Sequence, residues 1–369
     1  MSALVLLPSI ATTPQVDALL AAHAPIAVGV SGGEDSAVLA LGLWPELDRR
    51  GHAGPRLLVH ADLGRVEWRS SLPHCELLAQ HLGAELLVVR RARGGLLERW
   101  QQRWRDNLAR YAELRCLQLI LPWSSAGMRF CTSELKTQVI WRALAERWPG
   151  QTIINATGIR ADESPKRALR PVAAPQGQVK GSQYGTAGLN WCPIKHWVQA
   201  DVDLLHAVSG FPKHEAYTVY GSSRLSCAFC VLASLADLLA ASTCPENQAL
   251  YRELVELEIV SAFSFQPHRW LGDVAPHLLT AEQRLRLRAA QALAQQRQQI
   301  EARLPAHLRY HNGWPTVLPT RAEAQIIADV RQGVAALYGL VIGFIDAEAV
   351  IGRFAELMAE RQTQQRRAA

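Results

Sequence analysis

Short aliphatic runs alternate with amphipathic segments from about residue 25 of the chain onward. Four aliphatic runs have the length and the flanking turn residues of buried strands. They are PIAVGV (25–30), PRLLVHADLG (55–64), AELLVVRR (84–91) and QTIINATGIR (151–160). Three segments between these runs have a helical apolar period, namely 35–50, 66–82 and 132–148. This alternation predicts an α/β fold with a doubly wound parallel sheet.

The pattern becomes helical beyond residue 231. The helical segments there are 231–242, 246–262, 281–303, 321–339 and 346–362. This change predicts an α/β domain over residues 1–240 and a helical C-terminal region over 241–369. Residues 170–190 are rich in Gly, Pro and Gln and lack an apolar period, which predicts a mobile surface loop, either a lid or a plain insertion.

Composition narrows the class of protein only a little. The chain has 369 residues, and 39 Lys and Arg against 33 Asp and Glu give a net charge of +6. This balance suits an anionic substrate such as a nucleotide and leaves a nucleic-acid partner open. The first residues lack a basic leader, and no apolar run approaches the roughly 20 residues that span a bilayer. We therefore expect a cytoplasmic protein without a membrane partner, and seven cysteines there favour thiol or metal chemistry over disulfides.

A Gly-rich turn interrupts the apolar run VGVSGGEDSAVLALGLW at 28–44. The residues of this turn are Ser31, Gly32, Gly33, Glu34, Asp35 and Ser36. Glycines let the backbone turn sharply, and the following helix directs unpaired N–H groups and its dipole towards an anion. The alternatives are a plain strand-to-helix connection and a phosphate-binding loop. The turn is neither a Walker loop nor a three-glycine dinucleotide fingerprint.

The turn resembles the SGGxDS signature of the PP-loop superfamily. These enzymes act on adenine nucleotides, cleaving between the α- and β-phosphates or binding a nucleotide in that pose. A similar H-x-D-x-G turn is present here as His60, Asp62 and Gly64. The resemblance implies that His60 and Asp62 line the adenosine or metal side of the pocket, whereas an ordinary turn or cap residue is the alternative for Asp62.

Further motifs resemble the phosphoadenosine phosphosulfate (PAPS) reductase family, in the same order along the chain. They are RFCTSELK at 129–136, GIRADES at 158–164, PIKHW at 193–197, HEAY at 214–217 and RLSCAFC at 224–230. The resemblance covers about residues 25–235 and implies a PP-loop nucleotide-binding domain. It does not extend to the helical region.

Cations and carboxylates in these motifs are the predicted nucleotide-binding and catalytic groups. Arginine binds phosphate oxygens in pairs, so the predicted phosphate ligands are Lys136, Arg160, Arg167 and Arg224, with a solvated surface cation as the alternative for each. Glu163 is predicted to orient Arg160, to hold Mg²⁺ with Asp35 or Asp62, or to cap the next helix. Asp35, Lys136, Arg160 and Glu163 are the predicted catalytic set.

Cys227 and Cys230 form a C-x-x-C pair that suits one metal centre, a redox disulfide or two buried packing residues. The family resemblance implies a [4Fe–4S] cluster on Cys131, Cys227 and Cys230. A cluster takes four thiolates. We expect Cys244 as the fourth ligand ahead of Cys192, with an open iron site or a zinc ion as the alternatives.

Three functions follow from the resemblance. The first is ATP-dependent sulfur transfer or adenylation, in which an acceptor oxygen attacks the α-phosphorus and sulfide or a persulfide from a sulfur-donor protein displaces AMP. The second is PAPS reduction, although the family's cysteine-bearing E-C-G-L-H tail is not found after Cys244. The third is a non-catalytic nucleotide-binding module whose helical region docks a partner.

Overall fold

The computed structural model describes residues 8–177 and 185–368, and within them six strands form one sheet. The strands are β1 Ile26–Gly29, β2 Arg56–Asp62, β3 Leu86–Arg90, β4 Thr152–Ala156, β5 Ala173–Pro175 and β6 Ala187–Trp191. Their order is β3-β2-β1-β4-β6-β5, and all neighbours are parallel except β5 and β6. The predicted α/β class and the four predicted strands are confirmed.

The chain reverses its direction of travel across the sheet between β1 and β4. β2 and β3 lie on one side of β1, whereas β4 and β6 lie on the other side. Loops that leave the carboxyl ends of β1 and β4 therefore separate and open a crevice. This crevice is where the fold predicts a ligand.

Helices cover both faces of the sheet and the remainder of the chain. They are α1 Pro14–Ala21, α2 Glu34–Arg49, α3 Ser71–Leu82, α4 Leu96–Ala112, α5 Phe130–Thr132, α6 Gln138–Arg147, α7 Pro165–Ala168, α8 Gln199–Ser209, α9 Glu215–Thr218, α10 Leu235–Thr243, α11 Gln248–Ser261, α12 Ala281–Glu301, α13 Arg321–Tyr338 and α14 Ala347–Ala368. No helix among the described residues is both long and apolar enough to cross a membrane.

The two faces of the sheet carry separate apolar cores. Val28 and Ile154 pack on one face with Leu39 of α2, and all three side chains are fully buried. Ala27 and Ile153 point to the other face, where a second apolar cluster forms around α6. Burying a leucine side chain contributes about 1.5–3 kcal/mol, so the apolar stripe of α2 holds this helix and the turn before it against the sheet.

The predicted loop at 170–190 is wrong in part. Its described residues contain β5 and the beginning of β6, which pair antiparallel from Ala173 opposite Trp191 to Pro175 opposite Leu189. Residues 178–184 of the predicted loop lie outside the described residues. β5 has only three residues and includes Pro175, which suits an edge strand because proline cannot donate a ladder hydrogen bond. A strand this short leaves no readable period.

Contacts within the described chain define two compact units. One runs up to Leu97 and from Ser124 to Leu250, and the other comprises Glu98–Trp123 and the chain from Tyr251 onward. Within the second unit, the indole of Trp100 packs edge-on against Trp123 at a centroid distance of 5.4 Å. The division at residues 240 and 241 stays a prediction about domains, and it did not foresee the helical segment 98–123 as part of the second unit.

Candidate functional site

The turn between β1 and α2 presents backbone N–H groups to the crevice. Gly32 has a φ of +79°, a left-handed conformation that favours glycine. Gly33 caps α2 without a side-chain hydrogen bond, and the N–H groups of Gly32, Gly33 and Asp35 donate to no described residue. Ser36 Oγ accepts from the N–H of Ser31 at 3.1 Å and donates to the carbonyl of Gly33 at 2.9 Å. The result is a braced helix N-terminus that can bind an anion.

Tyr217 ties this turn to the segment that carries Arg224. Its hydroxyl oxygen accepts from the N–H of Glu34 at 3.2 Å and from the N–H of Leu225 at 2.9 Å. Burial raises the pKa of Tyr217 to about 12, so the phenol remains neutral. Tyr217 thus orients two backbone segments that meet at the crevice.

His214 supports the turn from behind and is not arranged as a base. Its Nδ1 accepts from the N–H of Ala216 at 3.0 Å, so its Nε2 carries the proton and donates to Ser70 Oγ at 3.0 Å. Ser70 in turn donates to Glu215 at 2.5 Å. Burial, with a contribution from His74, lowers the pKa of His214 to about 4. A histidine that donates to the serine cannot also take its proton.

A cavity of about 610 Å³ opens beside the turn at the carboxyl ends of β1 and β4. Its lining includes Ser31, Val59, Ala61, Lys136, Trp141 and Asn155. A volume of this size falls within the range of cofactor and small-molecule sites. Ser31 of the turn lines this cavity, so a ligand whose aromatic part lies against the apolar wall can extend an anionic part towards the turn.

His60 and Asp62 are not among the described residues that line this cavity. Successive side chains of a strand point to opposite faces, and here Val59 and Ala61 face the cavity. The side chains of His60 and Asp62 consequently point to the opposite face of β2. The structure therefore places both residues outside the lining of this cavity, and their role in nucleotide binding stays a prediction.

Both residues have structural partners on that side. His60 is buried, and its Nδ1 lies 3.1 Å from the carbonyl oxygen of Val30. Asp62 accepts from the N–H of Gly64 at 2.6 Å and pairs with Arg90 at 2.6 Å. Asp62 therefore organises its turn, as the alternative interpretation expected, and it lines a separate cavity of about 570 Å³.

Arg160 is buried, and its guanidinium is bonded to three protein side chains, so its role as a phosphate ligand stays a prediction. Its Nε donates to Asp35 at 2.7 Å, and its Nη1 donates to both oxygens of Asp162 at 2.8 Å. Its Nη2 donates to Gln199 at 2.9 Å. Burial raises the pKa of Asp35 while Arg160 opposes this effect. Arg160 thus fastens the loop after β4 to the first turn of α2.

The remaining predicted carboxylates also have cationic partners. Glu163 accepts from the backbone N–H of Arg160 at 3.1 Å and forms an ion pair with Arg167. Glu34 pairs with Lys213 at 2.8 Å. Glu163 therefore orients the backbone of Arg160, and Glu34 braces the outer side of α2.

Four arginines form a positively charged group near the turn, called here the arginine group. Its members are Arg129, Arg167, Arg170 and Arg224. Burial lowers the pKa of Arg167, and the positive charges of the three other arginines lower it further. Asp35 has the opposite effect and raises this pKa. Only Arg167 has a carboxylate partner among the described residues, namely Glu163. The group consequently carries positive charge that an anionic ligand can balance.

Lys195 holds the turn that bears Arg167 and Arg170. This lysine is 5% exposed, and its Nζ donates to the carbonyl oxygens of Ala168 at 2.9 Å, Arg167 at 3.4 Å and Arg170. It lies in the PIKHW motif, where sequence reasoning assigned it no role, and Arg170 was read only as the start of a loop. Its carbonyl partners lie 25 to 28 positions earlier in the chain, so no local pattern could have identified Lys195.

Lys136 and three of the predicted metal ligands lie near one another. Lys136 belongs to a π-helical turn, Ser133–Thr137, and lines the 610 Å³ cavity. Burial raises the pKa of Cys227. The charges of Cys230 and Cys131 raise this pKa further, whereas Lys136 lowers it. The structure therefore brings the C-x-x-C pair and Cys131 into the neighbourhood of the cavity.

Cys244 has a different partner. It is 2% exposed, and its hydrogen bond with Tyr220 raises the pKa of that phenol to about 12. Cys192 lines the cavity and lies 3.7 Å from Thr157 Oγ1. Among the described residues, no group of three or more His, Cys, Asp or Glu side chains is close enough to hold a metal ion. The four predicted cluster ligands are thus not gathered in this structure.

Comparison with known proteins relates this fold to one family. Residues 25–231 match the phosphoadenosine phosphosulfate reductase domain. Among solved structures, the chain is similar to the phosphoadenylyl-sulfate (PAPS) reductase from Candida auris in its phosphate complex. The identity is 14%, the match covers 60% of this chain and 98% of that chain, and the TM-score is 0.36. A comparison with curated proteins gives no match.

Proposed function

The chain belongs to the phosphoadenosine phosphosulfate reductase domain family, and on this basis we propose that it binds ATP and cleaves it between the α- and β-phosphates for sulfur transfer or adenylation. The adenosine part occupies the 610 Å³ cavity, and the phosphates bind at the turn Ser31–Ser36. The acceptor and any sulfur-donor protein or nucleic-acid partner stay predictions, as does a cytoplasmic location.

The observation that carries this proposal is the positive charge beside the turn, most of which is not paired with carboxylates of the described residues. The start of α2 has free N–H groups, and Asp35 in its first turn lies close enough to Arg167 of the arginine group for the two charges to interact. The members of this group other than Arg167 lack carboxylate partners among the described residues. Fixed donors and arginines of this kind bind phosphate oxygens and stabilise charge that develops during reaction. A triphosphate supplies the matching negative charge.

The reaction requires little acid–base chemistry from the chain. An acceptor oxygen attacks the α-phosphorus, the bond to the bridging oxygen breaks, and pyrophosphate leaves with the electron pair. Lys136 and the arginine group stabilise the charge on the leaving pyrophosphate. Asp35 does not serve as the base in this proposal because Arg160 already occupies it. Where the attacking group is a hydroxyl, its proton passes to solvent.

Neither predicted inorganic cofactor fits the described residues as a preassembled site. The carboxylates predicted for Mg²⁺, on Asp35, Asp62 and Glu163, are each paired with a different arginine. Cys244 contacts Tyr220, and no three His, Cys, Asp or Glu side chains in the described part of the chain are close enough to hold a metal ion. We therefore route no step through Mg²⁺ or a [4Fe–4S] cluster. Both stay predictions, and metal and acid-labile sulfide analysis of protein purified without oxygen tests the cluster.

PAPS reduction is the second candidate, and the position of the C-x-x-C pair favours it. Cys227, Cys230 and Cys131 neighbour Lys136, which lines the cavity. In such a reaction a thiolate attacks the sulfonate sulfur and releases adenosine 3′,5′-bisphosphate. A second cysteine thiolate then displaces sulfite and forms a disulfide, and an external dithiol returns the two electrons.

Product analysis distinguishes the candidates. Pyrophosphate release from ATP supports the proposed reaction, whereas sulfite release from PAPS with a dithiol supports reduction. Nucleotide binding without turnover indicates the non-catalytic module. The variant Arg224→Gln should weaken nucleotide binding at least about 10-fold, since a charge-assisted contact contributes about 1.5–3 kcal/mol. The matched control Arg288→Gln changes an exposed arginine of α12. Failure of ATP and PAPS to bind would refute the proposal.

A further inference from the structure

The cavity of about 570 Å³ lies at the carboxyl ends of β2 and β3 and has no part in the proposed function. Asp62 lines this cavity, whereas Val59 and Ala61 line the 610 Å³ cavity, so the two cavities lie on opposite faces of β2. Among the described residues, the two cavities share no lining residue. A ligand of the 570 Å³ cavity therefore does not compete with the nucleotide for side chains.

Three segments of one compact unit form the walls of this cavity. The loop after β2 contributes Gly64 and Arg69. The loop after β3 contributes Arg91, and the beginning of α11 contributes Ala249. A Cβ atom on Gly64 would lie 3.4 Å from Cα of Gly95, so the two loops contact each other. The volume falls within the range of small-molecule sites.

Four arginines and three carboxylates line the cavity, so its lining carries one positive charge in excess. They are Arg65, Arg69, Arg90, Arg91, Asp62, Glu67 and Glu246. Two of the carboxylates are engaged by the protein itself. Asp62 accepts from the N–H of Gly64 at 2.6 Å and pairs with Arg90 at 2.6 Å. Glu67 accepts from the N–H of Leu63 at 3.3 Å, and its carboxylate lies 3.4 Å from Nε2 of His60.

Arg91 and Arg69 are the cations that an incoming anion can engage. Nη1 of Arg91 donates to the carbonyl oxygens of Arg93 at 2.7 Å and Gly94 at 3.4 Å, which fixes the guanidinium, and its Nη2 donates to no described residue. Arg69 pairs with Glu246 at 3.4 Å, and the two side chains are 81% and 48% exposed. Exposed pairs of this kind contribute little stability, so an anion can replace Glu246 at little cost.

We propose that this cavity binds a small organic anion of a chemical class distinct from the nucleotide. One carboxylate or phosphate group binds to Arg91 and Arg69, because arginine binds the oxygens of either group in pairs. The apolar body of the ligand packs against Leu72, Pro73 and Ala249, which line the same cavity. The negative charge of the ligand balances the positive charge that the lining carries in excess.

Three small aromatic probes test this site on the unaltered full-length protein. They are benzoate, phenyl phosphate and uncharged benzyl alcohol, and ligand-observed NMR measures their dissociation constants in the presence of saturating ATP. We expect benzoate or phenyl phosphate to bind at least about 10-fold more tightly than benzyl alcohol, since a charge-assisted contact corresponds to about that factor. The tighter of the two anions identifies the anionic group of the ligand. Binding of neither anion, or equal binding of all three probes, would overturn the proposal.

Three variants assign the binding to this cavity. Arg91→Gln should weaken anion binding at least about 10-fold. Arg69→Gln should weaken it about threefold or more, and this exposed side chain makes no backbone contact that folding requires. The matched control is Arg93→Gln, which removes the same charge from an exposed side chain of the same loop that does not line the cavity.

Anion binding that withstands both Arg91→Gln and Arg69→Gln would overturn the site, and so would an equal loss in Arg93→Gln. Failure of ATP to bind would refute the proposed function alone, because the same titrations without ATP still decide whether the cavity binds an anion.

Discussion

Arg160→Met tests whether the buried pair with Asp35 fastens the loop after β4 to α2. The Arg160 side chain is 6% exposed and that of Asp35 is 24% exposed. Breaking a buried ion pair by removing one partner costs about 3–5 kcal/mol. Because Asp35 keeps some contact with water, we expect the free energy of unfolding to fall by about 2–3 kcal/mol at pH 7. Urea denaturation followed by tryptophan fluorescence measures this loss.

The loss should depend on pH with a definite sign. Burial already raises the pKa of Asp35 above its usual 3.8, and Arg160 is the main opposing influence. Without Arg160 this pKa rises further, so the folded state binds more protons than the unfolded state between the two pKa values. Stability then falls as pH rises through that interval. The deficit of Arg160→Met should therefore be smaller near pH 4 than at pH 7.

A double-mutant cycle isolates the pair. Asp35→Asn combined with Arg160→Met removes the unpaired charge, and we expect it to recover more than about 1 kcal/mol relative to the sum of the single losses, as residues in one network do. An Asp35→Asn loss that simply adds to that of Arg160→Met would refute the reasoning. A deficit that is equal at pH 4 and pH 7 would also refute it.

Three further predictions concern the supports of the site. Gly158→Ala places a Cβ atom 2.7 Å from the carbonyl oxygen of Asp35, so nucleotide affinity measured by calorimetry should fall at least about 10-fold. The control is Gly127→Ala, where the added atom meets nothing within 4 Å. Equal nucleotide affinities of the two variants would contradict the prediction. Lys195→Met leaves the carbonyl oxygens that this lysine binds unpaired and frees the turn that bears Arg167 and Arg170. We therefore expect the free energy of unfolding to fall by about 1–3 kcal/mol and phosphate binding to weaken. Unchanged phosphate binding would argue against a positioning role for Lys195. The pKa of His214 is lowered from 6.5 to about 4, so its contribution to stability is present above pH 6.5 and is lost as pH falls towards 4. Urea denaturation should therefore give a lower free energy of unfolding at pH 5 than at pH 7. His214→Gln should remove this part of the pH dependence.

Strand order could not be predicted from the chain alone, but the strand positions could. The aliphatic runs that became β1 and β4 are continuous because both faces of a central parallel strand are buried. The edge strand Ala173–Pro175 and its inner neighbour Ala187–Trp191 escaped prediction because strands of only three to five residues form when other strands pair with them. Local periodicity cannot report a partner that lies elsewhere in the chain.

The local parts of the candidate site could be predicted from the sequence, whereas its long-range contacts could not. The turn Ser31–Ser36 is a local feature, because the glycine conformation and the helix start that follow depend on adjacent residues. The role of Arg160 was not readable, since its partner Asp35 lies 125 positions away. His60 was assigned to the pocket because its motif ends the correct strand, and only the alternation of β2 against the rest of the sheet shows which face it uses.

The sequence by itself determined the alternation of strands and helices and the Gly-rich turn before α2, because these depend on short-range periodicity and on the backbone freedom of glycine. Tertiary structure alone decided which cations remain without partners and which side chains face the cavity. Asn155 and Trp141 illustrate the difference: neither residue stands out in its own segment. They stand out only in the folded protein, where the acceptor of one and the donor of the other are buried without a partner among the described residues.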